Sequence, residues 1–423
     1  MFYIIERKEQ LSNLRNLGDC FVRFISRNSN YHPKLSTLSL VYIRSLTEHK
    51  GYILCIDHSE SFQLDYNDVL EFLEKHTQKL FVTNKKEAMF FYKNHNKLYD
   101  IQFIENFNYE ELLNNKCIKW YFGSNNTNLP NLNCLVPISK HYEECEDIFE
   151  HLKNIIAKYK DNDQIYKFNN TILTEAFYNI EDNGVKLDRK SFIAYYANEL
   201  KFPEFNAYKG KIYTQYNLYT TTGRPSNHFN NINFAALNKD NGQREIFTCE
   251  NDYLIELDIN GMHPRIAGEL VDFELPYDQN IYQFLDIEKI VMFENLYGYI
   301  RKEYKNHPFF SKIQSYIDDQ WDIIQYKKIL STPIKEYKND IPNLNPQKLF
   351  NYIIQSYETY NNVLIINKIN DYLKDKKTKL VLYTYDAFLL DYSQDDNLKE
   401  IIELIKYPVS IKCGKSYNCM QKF

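Results

Sequence analysis

Two apolar runs that each end on a carboxylate constrain this chain more than any other feature. The first reads Tyr253-Leu-Ile-Glu-Leu-Asp258 and breaks at Asn260-Gly261 before His263-Pro264-Arg265. The second, from Leu380 to Asp391, is a pair of β-like runs that meet at Asp386. Apolar residues bounded by turn formers predict strands. An aspartate at a strand tip is poorly placed to stabilise the strand, and either one alone reads as a solvated strand end. If the strands are neighbours, the two carboxylates converge on one exposed point. Such a pair suits Mg²⁺, which keeps waters and substrate phosphates among its ligands. Two ions about 3.5 to 4 Å apart stabilise both the attacking and the leaving oxygens of a phosphoryl transfer.

The rest of the chain bounds what such a site could serve. Its 423 residues suffice for two or three domains with proper cores. The 37 Tyr and 28 Phe, against 11 Gly, go with an excess of Asn, Lys and Ile, the set that A+T-rich codons supply. Much of the aromatic excess is therefore compositional. With a net charge of −5, any nucleic-acid surface has to be a local basic groove. The eight Cys are scattered without a C-x-x-C pair, which argues against a zinc site and suggests reduced thiols in a cytosol. Charged residues arrive too early for a signal peptide, and no apolar run is long enough to span a membrane. The expected location is cytoplasmic, in the host cell if the protein is viral.

Residues 1 to about 165 alternate strand-like and helix-like segments, an α/β pattern. Phe21-Val-Arg-Phe-Ile, Ser39-Leu-Val-Tyr-Ile and Gly51 to Asp57 read as strands, Val69 to Leu80 as a helix, and Leu80-Phe-Val-Thr as a further strand. The succession resembles the proofreading 3′-5′ exonuclease domain of bacterial DNA polymerase I, with Gly51 to His58 and Asn84-Lys-Lys86 in the places of its strand, turn and Asn-x-Lys motif. That family's first strand carries an Asp-x-Glu metal pair. Here the strand is Phe21 to Arg27, with Arg23 and Ser26 and no carboxylate, so the domain is expected to be inactive. Asp57 and Glu60 are an alternative pair on a different strand, but they read first as solvated turn residues. A charged amphipathic helix from Cys145 to Lys160 looks like a connection between domains.

The second part, from residue 166 to 423, carries an ordered set of motifs. A helix from Thr174 ends at Asn183-Gly184, which is good C-cap chemistry. Thr222-Gly223-Arg224-Pro-Ser226 leads through Asn230 to Asn233 and Arg244-Glu-Ile-Phe247 to Asp258. Then follow Lys289, Phe293, Tyr297 and Gly298 at regular spacing, Asn351-x-x-x-Gln355-Ser356-x-Glu358, and Tyr385-Asp386. In this order and at similar spacing, the motifs resemble those of the family A DNA polymerases, of the compact kind found in viruses. The resemblance implies an α+β polymerase right hand with an antiparallel palm, helical fingers near 266 to 335 and a reduced thumb. It implies DNA-directed addition of deoxynucleotides to a primer 3′ end, with two Mg²⁺ held by Asp258 and Asp386 and the carbonyl of Ile259 as an extra ligand. Its partners are primer-template DNA, dNTPs and a processivity or replisome protein.

The residues themselves support that chemistry. Lys289, Phe293 and Tyr297 share one helix face, and an ordinary core stripe would not start with a lysine. A lysine neutralises a triphosphate while two aromatic rings face base and sugar. Gly298 is expected to let backbone approach the template. From Pro346 to Leu373 an apolar face with Phe350, Ile353, Ile354, Val363 and Ile366 opposes an amide-rich polar stripe of Asn351, Gln355, Glu358 or Thr359, and Asn362. Amide donors check base pairing from the minor groove without reading sequence, although a plain surface stripe has the same pattern. Arg224, Asn351 and Gln355 are the implied duplex-binding residues.

Four departures from the family pattern stand out. His263 replaces the motif A Glu that polices the sugar, so it is the expected gate beneath the incoming ribose. Ala387 replaces the carboxylate after Asp386, and Leu285 replaces the Arg four residues before Lys289. The stretch from Asp188 to Gly223 is too short for a full thumb. Two other readings stay open, a nuclease and a catalytically silent nucleic-acid-binding subunit. The lack of a P-loop motif excludes a P-loop ATPase.

Overall fold

The computed structural model describes residues 3–104, 132–196, 210–338 and 344–422, leaving aside 15, 29–30, 49, 62, 229–232, 238–242 and 419. Two compact units divide between Tyr178 and Asn179, inside the helix Thr174–Asn183.

The first unit is built on a six-stranded mixed sheet. Its strands are β1 (Tyr3–Ile5), β2 (Gly18–Ser26), β3 (Leu38–Ser45), β4 (Gly51–Cys55), β5 (Thr77–Val82) and β6 (Leu98–Asp100). They lie in the order β1-β4-β3-β2-β5-β6. The central strands β2, β3 and β4 alternate by side-chain period: Val22, Val41 and Leu54 enter one core, while Phe21, Tyr42 and Ile53 enter the other. Both faces are therefore apolar, and each is covered by a helix. Helix α1 (Tyr66–His76) covers the first with Val69, Phe72 and Leu73. Its start is capped by Asp65, whose carboxylate accepts from the Asn67 N–H at 2.8 Å. The sequence pattern carries this helix on to Leu80, but it stops at His76 because Thr77 pairs with Gly18 and the chain becomes β5. Helix α2 (Ile138–Ile156) covers the second face with Ile148, Phe149 and Leu152. It starts before the expected Cys145 and is a layer of this unit's core, not a connection between domains.

The second unit has a five-stranded antiparallel sheet. Its strands are β7 (Tyr253–Ile259), β8 (Lys379–Thr384), β9 (Ala387–Tyr392), β10 (Val409–Gly414) and β11 (Gln421–Lys422), in the order β8-β9-β7-β10-β11. Both aspartate-tipped runs are strands, and they are neighbours. Asp258 stands opposite Ala387 on one side and Ser410 on the other.

Four helices belong to this unit's cores: α3 (Met262–Leu270), α4 (Lys289–Tyr297), α5 (Pro308–Lys327) and α6 (Pro346–Leu373). Asn345 caps α6 and Pro346 starts it, as the helix-start chemistry demands. The apolar residues of its first turns divide between two clusters: Phe350 and Ile354 pack with Met292, Leu296 and Ile313, while Leu349 and Ile353 pack with Ile324 and Tyr337. Gly261 makes the turn from β7 into α3. Its φ is +64°, a conformation glycine adopts without strain, and a Cβ there would sit 2.3 Å from the Ile281 Cδ1 atom, which would have to move. Between Asp188 and Gly223 the described residues hold the helix Arg189–Tyr196 and two short strands, Lys211–Ile212 and Gln215–Asn217, each paired with a strand outside this stretch, and residues 197–209 lie outside the description.

Candidate active site

A two-residue turn, Tyr385-Asp386, joins β8 to β9, and the flanking Thr384 and Ala387 are paired. Tyr385 has φ +64°, a left-handed conformation that costs a non-glycine residue roughly 1–2 kcal/mol. Several contacts hold it. The buried Asn362 side chain of α6 donates to the Tyr385 carbonyl at 2.7 Å and to the Tyr383 hydroxyl at 2.9 Å. The Arg224 guanidinium lies 3.8 Å from the centre of the Tyr385 ring. Finally, the Ile259 N–H donates to the Asp386 carbonyl at 2.8 Å, tying the turn to the end of β7 beside Asp258.

Asp258 and Asp386 line a single cavity of about 760 Å³. Both carboxyls lie above the ordinary carboxylate range. For Asp258 the cause is burial first and then the negative charge of Asp386, opposed by Lys412 and Lys289. For Asp386 it is again burial, with Glu358 adding and Arg224 opposing. Two partly desolvated carboxylates that open on the cavity, one of them raised by the charge of the other, form a hard-oxygen site that a divalent cation would relieve. Among the described residues no group of three or more His, Cys, Asp or Glu could hold a metal ion by itself. Two carboxylates completed by substrate oxygens and waters is the usual composition of a Mg²⁺ site. Ile259 lines the cavity beside them.

Helix α4 brings its polar and aromatic face to the same cavity. Lys289 is its first residue, and Lys289, Phe293 and Tyr297 all line the space. The Phe293 and Tyr297 rings are stacked, 5.6 Å apart and 8° from parallel, and the Lys289 ammonium lies 6.0 Å from the centre of the Phe293 ring. Tyr297 and His263 share a hydrogen bond between hydroxyl and Nδ1, with the rings edge-to-face at 5.6 Å. Leu285, in the place of the family's Arg four residues before Lys289, is buried in the apolar core with Met292 and Leu296. Gly298 has a local reason: a Cβ there would lie 2.7 Å from the Glu294 carbonyl oxygen.

The expected polar stripe on α6 is only partly a surface. Asn351 and Gln355 are half-buried, but Glu358, Thr359 and Asn362 are fully buried. Asn351 donates to the Tyr297 carbonyl at 3.3 Å. Arg224 is likewise engaged. Its Nη2 donates to Glu358 Oε1 at 2.9 Å, and its Nε lies 2.8 Å from Oε2, off the hydrogen-bond line. The same Oε2 lies 3.1 Å from His263 Nε2. Burial pushes the Glu358 carboxyl up, yet His263 and Arg224 outweigh it and leave it below the ordinary value. Removing one partner from such a buried pair costs about 3–5 kcal/mol. In α6, sequence reasoning missed the inward helical turn: an acidic residue among amides resembles a wet face until the partner Arg224, 134 positions earlier, is known.

Two further cations were not foreseen. Lys412 on β10 pairs with Glu256 and lies 3.8 Å from Asp258 Oδ2. Arg265 lines the cavity, with Nε donating to the Asn260 carbonyl at 2.9 Å and Nη1 to the Pro276 carbonyl at 3.0 Å. Only strand register and loop path bring them there, and neither is written in local spacing. Of the motif at Asn230 to Asn233, residues 230–232 lie outside the described residues; Asn233 caps the turn Phe234–Ala236. Arg244 donates to the Leu237 carbonyl at 3.1 Å.

No protein-family model and no curated protein matches the sequence. In structure the chain is similar to the POL domain of Pol1 from M. smegmatis, solved in complex with DNA primer-template and dNTP, with a TM-score of 0.66 over 98% of each chain. Sequence identity between the two is 14%, so the likeness is one of fold. The chain has the fold of a Pol1 POL domain, the fold that the resemblance to family A polymerases implied.

Proposed function

We propose that this chain is a DNA-directed DNA polymerase that adds deoxynucleotides to a primer 3′ end by two-metal phosphoryl transfer, in viral DNA replication. The observation that carries the reading is the convergence of Asp258, Asp386 and Lys289 on one cavity beside the stacked Phe293 and Tyr297. The similar POL domain was solved with DNA primer-template and dNTP, which supports the same partners here.

Asp258 and Asp386 would hold two Mg²⁺ ions with the Ile259 carbonyl as a further ligand. When bound, the metal supplies positive charge to the attacking and leaving oxygens. Lys289 neutralises the triphosphate and gives a proton to pyrophosphate. Phe293 and Tyr297 bear on the base, and His263 lies beneath the ribose. Asn351, Gln355 and the exposed edge of Arg224 hold the primer-template. In this reading the antiparallel sheet is the palm, residues 266–335 are the fingers, the thumb is reduced, and residues 1–165 are an inactive exonuclease-like domain. A processivity or replisome protein would compensate for the weak grip on the duplex, since phosphate contacts dominate affinity.

The test is primer extension with the four dNTPs and Mg²⁺. Template-dependent extension supports the reading. Duplex binding without extension points to a silent subunit, and shortening of the primer to a nuclease.

A further inference from the structure

Glu358 is a fully buried carboxylate in the wall of the cavity, and no step above uses it. It belongs to the long helix α6, its Oε2 lies 3.1 Å from His263 Nε2 although off the hydrogen-bond line, and its Oε1 accepts from Arg224 at 2.9 Å. His263 is itself buried, and its other ring nitrogen shares a hydrogen bond with Tyr297, the last residue of α4. An ionised carboxylate only accepts hydrogen bonds. A bare nitrogen lone pair 3.1 Å from that oxygen would repel it, so the ring nitrogen that faces the carboxylate carries hydrogen. In the neutral ring that leaves Nδ1 as the acceptor for the Tyr297 hydroxyl.

We propose that Glu358 is a positioning residue for sugar discrimination, fixing both the orientation and the proton arrangement of His263 and, through it, the Tyr297 end of α4. The proposal rests on the polymerase reading and deepens it. Arg224 completes the arrangement: it holds Glu358 from one side and stacks on Tyr385, the neighbour of Asp386. One buried carboxylate thus connects the residue beneath the ribose with the turn that carries an active-site aspartate. An ion pair with a purely structural role would slow every nucleotide alike when broken. A positioning role changes the choice between nucleotides.

The experiment measures kcat/KM for one dNTP and its matching rNTP in the full chain and in Glu358→Ala, Glu358→Gln, His263→Ala and the double alanine variant. Glu358→Ala is expected to lower the dNTP-to-rNTP ratio about tenfold or more. The amide oxygen of Glu358→Gln can still face the Nε2 hydrogen of His263, so its ratio is expected to stay within about threefold of wild type. In the His263→Ala background, Glu358→Ala should move the ratio no further, because its effect passes through the ring. An unchanged ratio in Glu358→Ala, or an additive change in the double variant, overturns the proposal. Should Glu358→Ala fail to fold, the wild type is decisive: ¹⁵N spectra of histidine-labelled protein, assigned with His263→Ala, must show Nε2 protonated. A bare Nε2 overturns it. A wild type that extends with neither nucleotide defeats the polymerase reading instead, and the ¹⁵N result still tests the contact between Glu358 and His263.

Discussion

Ile259 donates its backbone N–H to the carbonyl of Asp386 at 2.8 Å, so the end of the central strand and the tip of the β8–β9 hairpin form one rigid unit. Asp258 precedes that donor in the chain. The two carboxylates therefore take their spacing from backbone hydrogen bonds and not from each other. Replacing either with asparagine removes an anionic ligand while leaving this backbone in place. Asp258→Asn and Asp386→Asn are expected to abolish primer extension and leave primer-template affinity near wild type. Extension rates paired with fluorescence-anisotropy binding check this, and sustained extension by either variant contradicts the assignment.

The strands and their aspartates were legible because both signals are local: apolar runs with a turn former at the end. The helix Pro346–Leu373 was legible for the same reason, with a proline at its start and a continuous apolar face. What stayed hidden was direction and partnership. Glu358 and Asn362 read as solvated because their partners, Arg224 and the Tyr385 turn, lie far away in sequence. Lys412 reaches Asp258 through strand register alone, which no spacing rule within one segment contains. In α1 the error ran the other way: helical periodicity continues past His76, and tertiary pairing with β2 overrides it.

Asn362 holds Tyr385 in its left-handed conformation, so Asn362→Leu takes its hydrogen bonds away from the part-buried Tyr385 carbonyl and the buried Tyr383 hydroxyl. The expected cost is about 2–3 kcal/mol in stability. Because Asp386 follows Tyr385, kcat should fall about tenfold or more as the turn relaxes, with little change in KM for dNTP. Urea unfolding and steady-state kinetics on the same preparation separate the two effects. Loss of stability with kcat unchanged would mean that Asn362 supports the fold and not the turn.

In the first unit Asp57 is paired with Arg27, and Glu60 accepts from the Ile138 N–H at 2.9 Å at the start of α2. A carboxylate at a helix N-terminus stabilises the helix by satisfying a free N–H. Glu60→Ala should therefore lower stability by about 1 kcal/mol. The protein is expected not to shorten a mismatched primer in the presence of Mg²⁺. Metal-dependent shortening that disappears in Asp57→Ala or Glu60→Ala would place a nuclease site here.

His263 fills the cavity wall between Glu358 and Tyr297. Its ring is wide and planar enough to crowd a 2′-hydroxyl, so His263→Ala should raise rNTP incorporation selectively, by about tenfold or more in relative kcat/KM. Matched dNTP and rNTP kinetics decide it. A proportional loss for both nucleotides means that the ring supports packing only, and a wild type that prefers rNTPs points to an RNA-making enzyme.

Lys85 gives the first unit a pH dependence of its own. The residue is 1% exposed, and burial lowers its pKa to about 8, against the pull of Glu175 and Asp100 in the other direction. In the unfolded chain the ordinary value is 10.5. Between these two values the unfolded state binds more protons than the folded one, so this group makes stability rise with pH across that window. Below about pH 8 both states carry the charge, and the folded state bears the full cost of burying it, on the order of 3 kcal/mol. Above 10.5 neither is charged and the cost is gone. Lys85→Met removes the charge at every pH, so its stability advantage over wild type should be largest below pH 8 and vanish by about 10.5. The buried thiols of Cys20, Cys55 and Cys145 are pushed up by burial and act in the opposite direction at alkaline pH, but they are common to both proteins. The difference between the two unfolding free energies, measured in urea at pH 7, 9 and 10.5, is therefore the quantity to compare, and a difference that does not shrink with pH rules out a charged, desolvated Lys85 in the folded protein.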